Sequence, residues 1–225
     1  MLESILFHGS DHVVDHPFRG GGKSHNDYGS GFYCTPDMEL AREWACSSGS
    51  TSAFVNHYSL EPNTSLTVAN LSAPPYHVLN WLAVLLKNRH FDLRHPLARQ
   101  AKEYLLQTFL PPLSAFDIVR GYRADDSYFA IASSFLEGAL SLEQLQHALR
   151  LGTLGEQVFM QSEKAFEALV FLTAETVDRS IYLTRRQQRD VQARNEFRSM
   201  ATAAQGTFIL DILRQSWKND DPRLR

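Results

Sequence analysis

Two helical patterns stand back to back between strand-like runs, and they limit what this chain can fold into. Residues 76–110 hold HVLNWLAVLLKNRHF and LARQAKEYLLQTFL, separated by Arg94-His95-Pro96 and stopped by Pro111-Pro112. Proline lacks an amide donor and its ring clashes with the preceding turn, so the stop has a steric cause. A doubly wound fold needs strands and helices in regular alternation, because each parallel crossover carries its own helix. That alternation is absent. The pattern predicts an α+β protein in which the helical pair, about residues 74–112, is an insertion between strands.

The remaining runs are short. Residues 3–7 (ESILF) read as a buried strand running into a turn at His8-Gly9-Ser10. Gly31 to Thr35 tightens into a strand. Pro36-Asp37 then opens a helix with Met38, Ala41, Trp44 and Ala45 at helical spacing. Residues 53–60, 64–68, 116–119 and 156–161 are further strand candidates, with a turn at Pro62-Asn63. Helices are expected over 127–136 and 142–151, the second capped by Ser141 with Gln144 in the capping-box position. Another starts at Ser162 and runs through Glu163, Ala165, Phe166 and Leu169. After Leu172 the chain turns basic and helical, and FILDILRQSW closes it as an amphipathic helix.

At 225 residues and 44% hydrophobic content, the chain has enough apolar material for one domain, here read as a single unit over 1–225 with a basic helical tail from about 176. A net charge of -3 argues against a uniformly basic nucleic-acid binder, although the arginine-rich stretch 185–198 keeps a local one open beside an ordinary solvated helix face. Cys34 and Cys46 are too few for a disulfide framework or a four-cysteine zinc site. The longest apolar passage, Val78 to Leu86, is far short of the roughly 18 residues a membrane helix needs. The N-terminus lacks the basic and apolar regions of a secretory signal. A cytoplasmic protein with reduced thiols and no membrane contact is the expectation.

Several residue groups invite a chemical reading, and each has a plain one. His8-Gly9 at a strand end offers an imidazole and a close-approach backbone, or a structural histidine. Tyr33 and Trp44, eleven positions apart, sit on a strand and the next helix. They would sandwich a flat heterocycle or pack in the core. Gln157 begins a strand, where it would hold a sugar hydroxyl or face solvent. Asp125-Asp126 lacks the spaced partners of a metal site and reads as a solvated turn. Cys34 lies in an apolar run and reads as an inert buried thiol rather than a nucleophile. Gly20 to Ser24 imitates a phosphate-binding loop, but the glycine that motif requires is Pro17 here. The glycine-rich stretch 17–31 is a loop of functional type or a surface excursion.

In sequence order these groups carry more than they do singly. FHGS, NDYGSGFYCTPDMELAREWA, AFVNHYSLEPNTSLTV, FDIVRGYRADD and GEQVFMQSEKAFEAL together resemble the DUF3990 group of bacterial proteins, part of the ADP-ribosyltransferase superfamily. The resemblance runs from about Leu6 to Leu172, and its most specific parts are the Gly-Phe-Tyr-x-Thr block containing Thr35 and the Ala-Asp-Asp block.

The resemblance implies a split-sheet core that binds NAD, with the His-Tyr-Glu type of site found in diphtheria toxin and the poly(ADP-ribose) polymerases. It places His8 on the ribose, the Gly9 backbone on the nicotinamide carboxamide, Tyr33 and Trp44 on the two sides of the ring, and Ser10 and Thr35 among the NAD contacts. The third motif falls on Gln157, where the family pattern has glutamate. Glutamine keeps the hydrogen bonding without the charge. Glu156 is adjacent, but a strand turns neighbours to opposite faces. The glycine-rich loop would cover the cleft, with Arg19 and Lys23 near the pyrophosphate. No metal is implied. The activity implied is transfer of a single ADP-ribose to a macromolecular acceptor, protein or nucleic acid, with His8, Tyr33 and Gln157 as catalytic residues. Such proteins resemble toxins or effectors, sometimes with an antitoxin-like companion. An NAD glycohydrolase and a catalytically inert NAD- or partner-binding module are the alternatives.

Overall fold

The structure, a computed structural model, describes residues 4–22, 25–46, 49–61, 65–124, 126–151, 155–200 and 205–224. Lys23, Asp125 and the Pro62-Asn63 turn lie outside them. The described residues form a mixed α and β protein with two sheets. The first sheet has the order β1 (Ile5–Ser10), β3 (Phe54–Leu60), β7 (Leu169–Thr176), all antiparallel. The second has the order β2 (Phe32–Cys34), β6 (Glu156–Met160), β5 (Ile118–Tyr122), β4 (Val68–Asn70). Only the β4–β5 pair is parallel.

One bridge joins the sheets. Phe7 and Thr35 exchange both backbone hydrogen bonds, at 2.8 and 2.9 Å. Beyond Phe7 the two strands part. The expected turn at His8-Gly9-Ser10 is instead the last half of β1, in register with Asn56, Val55 and Phe54. Alternation in an antiparallel ladder puts the N–H and C=O of every second residue on the same edge. Phe7 faces β2, so Gly9 faces the same way, into the space where β2 has left.

The helical pair is core rather than appendage. In α2 (Val78–Asn88) every residue from Val78 to Leu86 is buried. A helix apolar on all sides must be enclosed. It packs with α3 (Pro96–Thr108), α4 (Asp126–Leu136), α5 (Leu142–Leu151) and α8 (Ile209–Arg214) in one apolar cluster that reaches β5 and β6 through Val119 and Phe159. A second cluster, including Leu6, Cys34, Tyr58 and Met160, fills the junction of the sheets. Ser141 caps α5 as its sequence predicts: its amide donates to Gln144 Oε1 at 2.8 Å and its hydroxyl accepts from the Gln144 amide at 3.3 Å.

The stretch after Ser162 departs from expectation. The helix there, α6 (Glu163–Glu167), is one short turn, and Leu169 begins β7. The free edge of β3 accepts a strand, and the β-branched and aromatic residues of LVFLTAET suit it. Its outer face stays exposed at Val170 and Leu172, so no clean alternation marks it in the sequence. The basic helix therefore starts later, as α7 (Arg179–Met200). Its arginines lie against the acidic face of α1 (Met38–Ala45). Arg185 pairs with Glu39 at 2.7 Å, Arg189 pairs with Glu43 at 2.5 Å, and Arg186 donates to the Cys46 carbonyl at 2.7 Å. The first half of the arginine-rich stretch thus docks a helix.

Gly9 shows how closely α1 lies on β1. A Cβ there would overlap the Ala41 carbonyl and come within 2.6 Å of the Ala45 amide. Both obstacles are backbone and cannot rotate away. Gly9→Ala should lower unfolding stability by about 1–3 kcal/mol, as overpacking does. Denaturant titration checks it, and an unchanged midpoint would show that α1 does not lie on β1 in this way.

Candidate functional site

A cavity of about 650 Å³ opens where β1 and β2 part. That size suits a small-molecule site. His8, Gly9, Ser10, Tyr33, Trp44 and Gln157, drawn from four elements, all line it. Thr35 and Arg19 do not. Thr35 is fully buried below, where it bridges Phe7 and its hydroxyl accepts from the Asp37 amide at 3.2 Å. Arg19 is exposed on the loop. The cations on the wall are Arg89, Arg123 and Arg186.

His8 has a fixed tautomer. Its Nδ1 lies 2.7 Å from the Tyr33 carbonyl oxygen, which accepts only, so Nδ1 carries the proton. The neutral ring then presents Nε2 as an acceptor. Burial pulls the His8 pKa down to about 4, against the opposing pull of the Tyr33 carbonyl. The ring also leans on Phe32, with centroids 4.4 Å apart. Beside it, Gly9 turns an amide donor and a carbonyl acceptor along the same edge. A donor and an acceptor so placed match a primary carboxamide.

The hydroxyl of Ser10 is used locally. It donates to the His12 carbonyl at 2.5 Å and accepts from Asn56 Nδ2 at 2.9 Å. Asn56 is fully buried on β3, and its Oδ1 accepts from the Val14 amide at 2.8 Å. This asparagine organises the chain leaving β1, a role its sequence position does not advertise.

Tyr33 and Trp44 sit in the same cavity with separate neighbours. The Tyr33 ring packs on Phe159, centroids 4.8 Å apart, and its hydroxyl donates to the Gly29 carbonyl at 2.7 Å. That hydroxyl also accepts from the Tyr28 amide at 3.1 Å, so it fastens the glycine-rich loop. The Trp44 ring lies under the Arg123 guanidinium at 4.9 Å, and its indole nitrogen is buried without a hydrogen-bond partner.

Gln157 and Glu156 behave as strand neighbours do. Glu156 faces Arg120 and accepts from its Nε at 3.0 Å, while Gln157 is buried on the cavity side. Gln157 Nε2 donates to Asp27 Oδ2 and to the Tyr122 carbonyl, both at 3.1 Å. The Tyr122 carbonyl also receives the Trp81 indole at 2.9 Å and the Tyr28 hydroxyl at 2.8 Å. Gly121 is glycine because a Cβ there would overlap that hydroxyl.

Asp27 was not among the sequence candidates. It is buried, and burial pushes its carboxyl above the usual range against the opposing pull of the Ala124 amide, Gln157 and Arg89. The one available signal was an acid inside an otherwise uncharged NDYGSG block. The end of α2 holds the loop that carries it: Asn88 Nδ2 donates to the Asp27 carbonyl at 3.3 Å and Arg89 to the His25 carbonyl at 2.8 Å. Cys34 is fully buried, which pushes its thiol well above the ordinary range. Among the described residues no cluster of His, Cys, Asp and Glu is placed to hold a metal, and no helix is long and apolar enough to cross a membrane.

A family model described as a protein of unknown function, DUF3990, matches residues 4–171. No curated protein and no solved structure matches the chain.

The lowered pKa of the half-buried His8 imidazole makes stability depend on pH. The unfolded chain takes up the His8 proton near 6.5 and the fold only near 4. Stability therefore rises with pH between those values and levels off above them. In chemical unfolding from pH 4 to 7, His8→Leu should have a shallower slope than the parent. Equal slopes would show that His8 titrates normally.

Proposed function

The chain belongs to the DUF3990 family, and from the geometry of its cleft we propose that it is an ADP-ribosyltransferase that uses NAD and releases nicotinamide. The supporting observation is the convergence on one cavity of the His8 acceptor, the Gly9 backbone edge and the Tyr33 and Trp44 rings. Gly9 N–H and C=O pair with the nicotinamide carboxamide. The two rings flank the pyridine. His8 Nε2 accepts from a hydroxyl of the adjoining ribose. Arg89, Arg123 and Arg186 supply guanidinium groups for the pyrophosphate, a role guanidinium geometry serves well.

These contacts serve one bond cleavage. The bond from ribose C1′ to the nicotinamide nitrogen breaks, and its electron pair leaves with the ring. Positive charge develops on the ribose. An acceptor X–H then bonds C1′ through X and gives its proton to solvent. The balance is NAD plus acceptor giving ADP-ribosyl acceptor, nicotinamide and a proton. A held leaving group and an oriented ribose lower the barrier by positioning. Gln157 carries no charge of its own where the family pattern has glutamate, which favours transfer of a single unit to a macromolecular acceptor over chain extension.

Purified protein given NAD should release nicotinamide, and ADP-ribose labelled on its adenine should move onto a macromolecular fraction of a cell extract. His8→Ala and Tyr33→Ala should each lower the rate by about a hundredfold, the scale of lost positioning and hydrogen bonding in active sites. Label that stays free in solution would make the protein a glycohydrolase. No nicotinamide at all would leave a binding module and contradict the enzyme.

A further inference from the structure

Among the described residues the cavity wall carries one carboxylate, and it comes from the glycine-rich loop rather than from β6. Among the described lining residues Asp27 is the single acid, and it is 6% exposed. Its Oδ2 accepts from the Ala124 amide at 2.9 Å and from Gln157 Nε2 at 3.1 Å. Its Oδ1 lies 3.8 Å from Arg89 Nε.

This arrangement explains the glutamine. Both neighbours of Gln157 Nε2, the Asp27 carboxylate and the Tyr122 carbonyl, are acceptors. The amide nitrogen must face them, and Oε1 must face elsewhere. A glutamate at this position would set a second carboxylate at hydrogen-bond distance from the first. Two carboxylates so close cannot both ionise, and one must hold a proton. Aspartate and glutamine are thus a matched pair with a single negative charge between them.

We infer that Asp27 supplies the cleft's negative charge and positions Gln157, so that the two residues together do the work of one carboxylate during loss of nicotinamide. This rests on the transferase reading. As the glycosidic electron pair leaves with nicotinamide, the ribose becomes cationic. A fixed negative charge that is itself shielded from water, as Asp27 is, is worth most at that moment. Asp27 holds its charge against the donor side of the Gln157 amide, and the amide passes part of it to Oε1. Asp27 is a positioning residue here, and Gln157 Oε1 is the group turned to substrate. The loop location also makes the charge conditional. Tyr33, Asn88 and Arg89 hold residues 25–29 from outside the loop and so help to keep Asp27 in place.

An exchange of the two side-chain types tests this. Nicotinamide release is measured for the parent, Asp27→Asn, Gln157→Glu and the double variant, with melting temperature as the check on folding. Each single variant should lose about tenfold or more in kcat, as removal of a preorganised charge does. KM for NAD should move by less than about threefold, because ground-state binding lies elsewhere in the cleft. The double variant restores one acid and one amide and should recover most of the lost kcat. Its pH–rate profile should resemble that of the parent, whereas Gln157→Glu should gain an ionisation from the shared proton. Asp27→Asn with parental kcat would overturn the inference. So would a double variant no faster than the slower single one, or losses confined to KM and melting temperature. A parent that releases no nicotinamide would overturn the transferase reading and this inference with it.

Discussion

The carbonyl of Tyr122 is the point on which the site is assembled. Three donors from three parts of the chain meet it: the Trp81 indole from α2, the Tyr28 hydroxyl from the glycine-rich loop and the Gln157 amide from β6. A carbonyl oxygen has two lone pairs, so the three share it. The three donor side chains are buried, where an unmade hydrogen bond costs more than a made one contributes. Each donor is therefore held by the others. Loss of any one removes a tie between its element and β5, while the other two still occupy the carbonyl's lone pairs.

That junction gives the helical insertion its purpose. The sequence marks residues 76–110 as a helical insertion between strands. The buried faces of α2 make it core, and its last turn makes it a support for the site. Trp81 fixes the end of β5, while Asn88 and Arg89 grip the loop that carries Asp27. Arg89 also reaches the cavity wall. The insertion thereby turns a glycine-rich segment, costly to order on its own, into a defined edge of the cleft.

Sequence and structure agree where local chemistry decides. The prolines at 36, 111 and 112, the Ser141 cap and the apolar stripe of α2 specify elements without help from the rest of the chain. That His8, Gly9, Tyr33, Trp44 and Gln157 line one cavity follows the expectation of the family resemblance, which rests on the order of the motifs. What escaped was set by distant pairing. β7 exists because β3 has a free edge. Asn56 works through a turn more than forty residues away in sequence. Asp27 acquires meaning only once Gln157 and Ala124 are placed beside it, 130 and 97 residues on. Thr35 and Arg19 show the converse. Motif neighbourhood drew them toward the ligand, whereas an inter-sheet bridge and an exposed loop are where the fold puts them.

The proposed function requires that the gap between β1 and β2 receive the nicotinamide end of NAD. A crystal structure with a carbocyclic NAD analogue, which cannot lose nicotinamide through an oxocarbenium-like ribose, tests it directly. The carboxamide is predicted to pair with the Gly9 N–H and C=O, with His8 Nε2 on a ribose hydroxyl and the ring between Tyr33 and Trp44. An analogue bound elsewhere, or with its adenine end on Gly9, would contradict the claim.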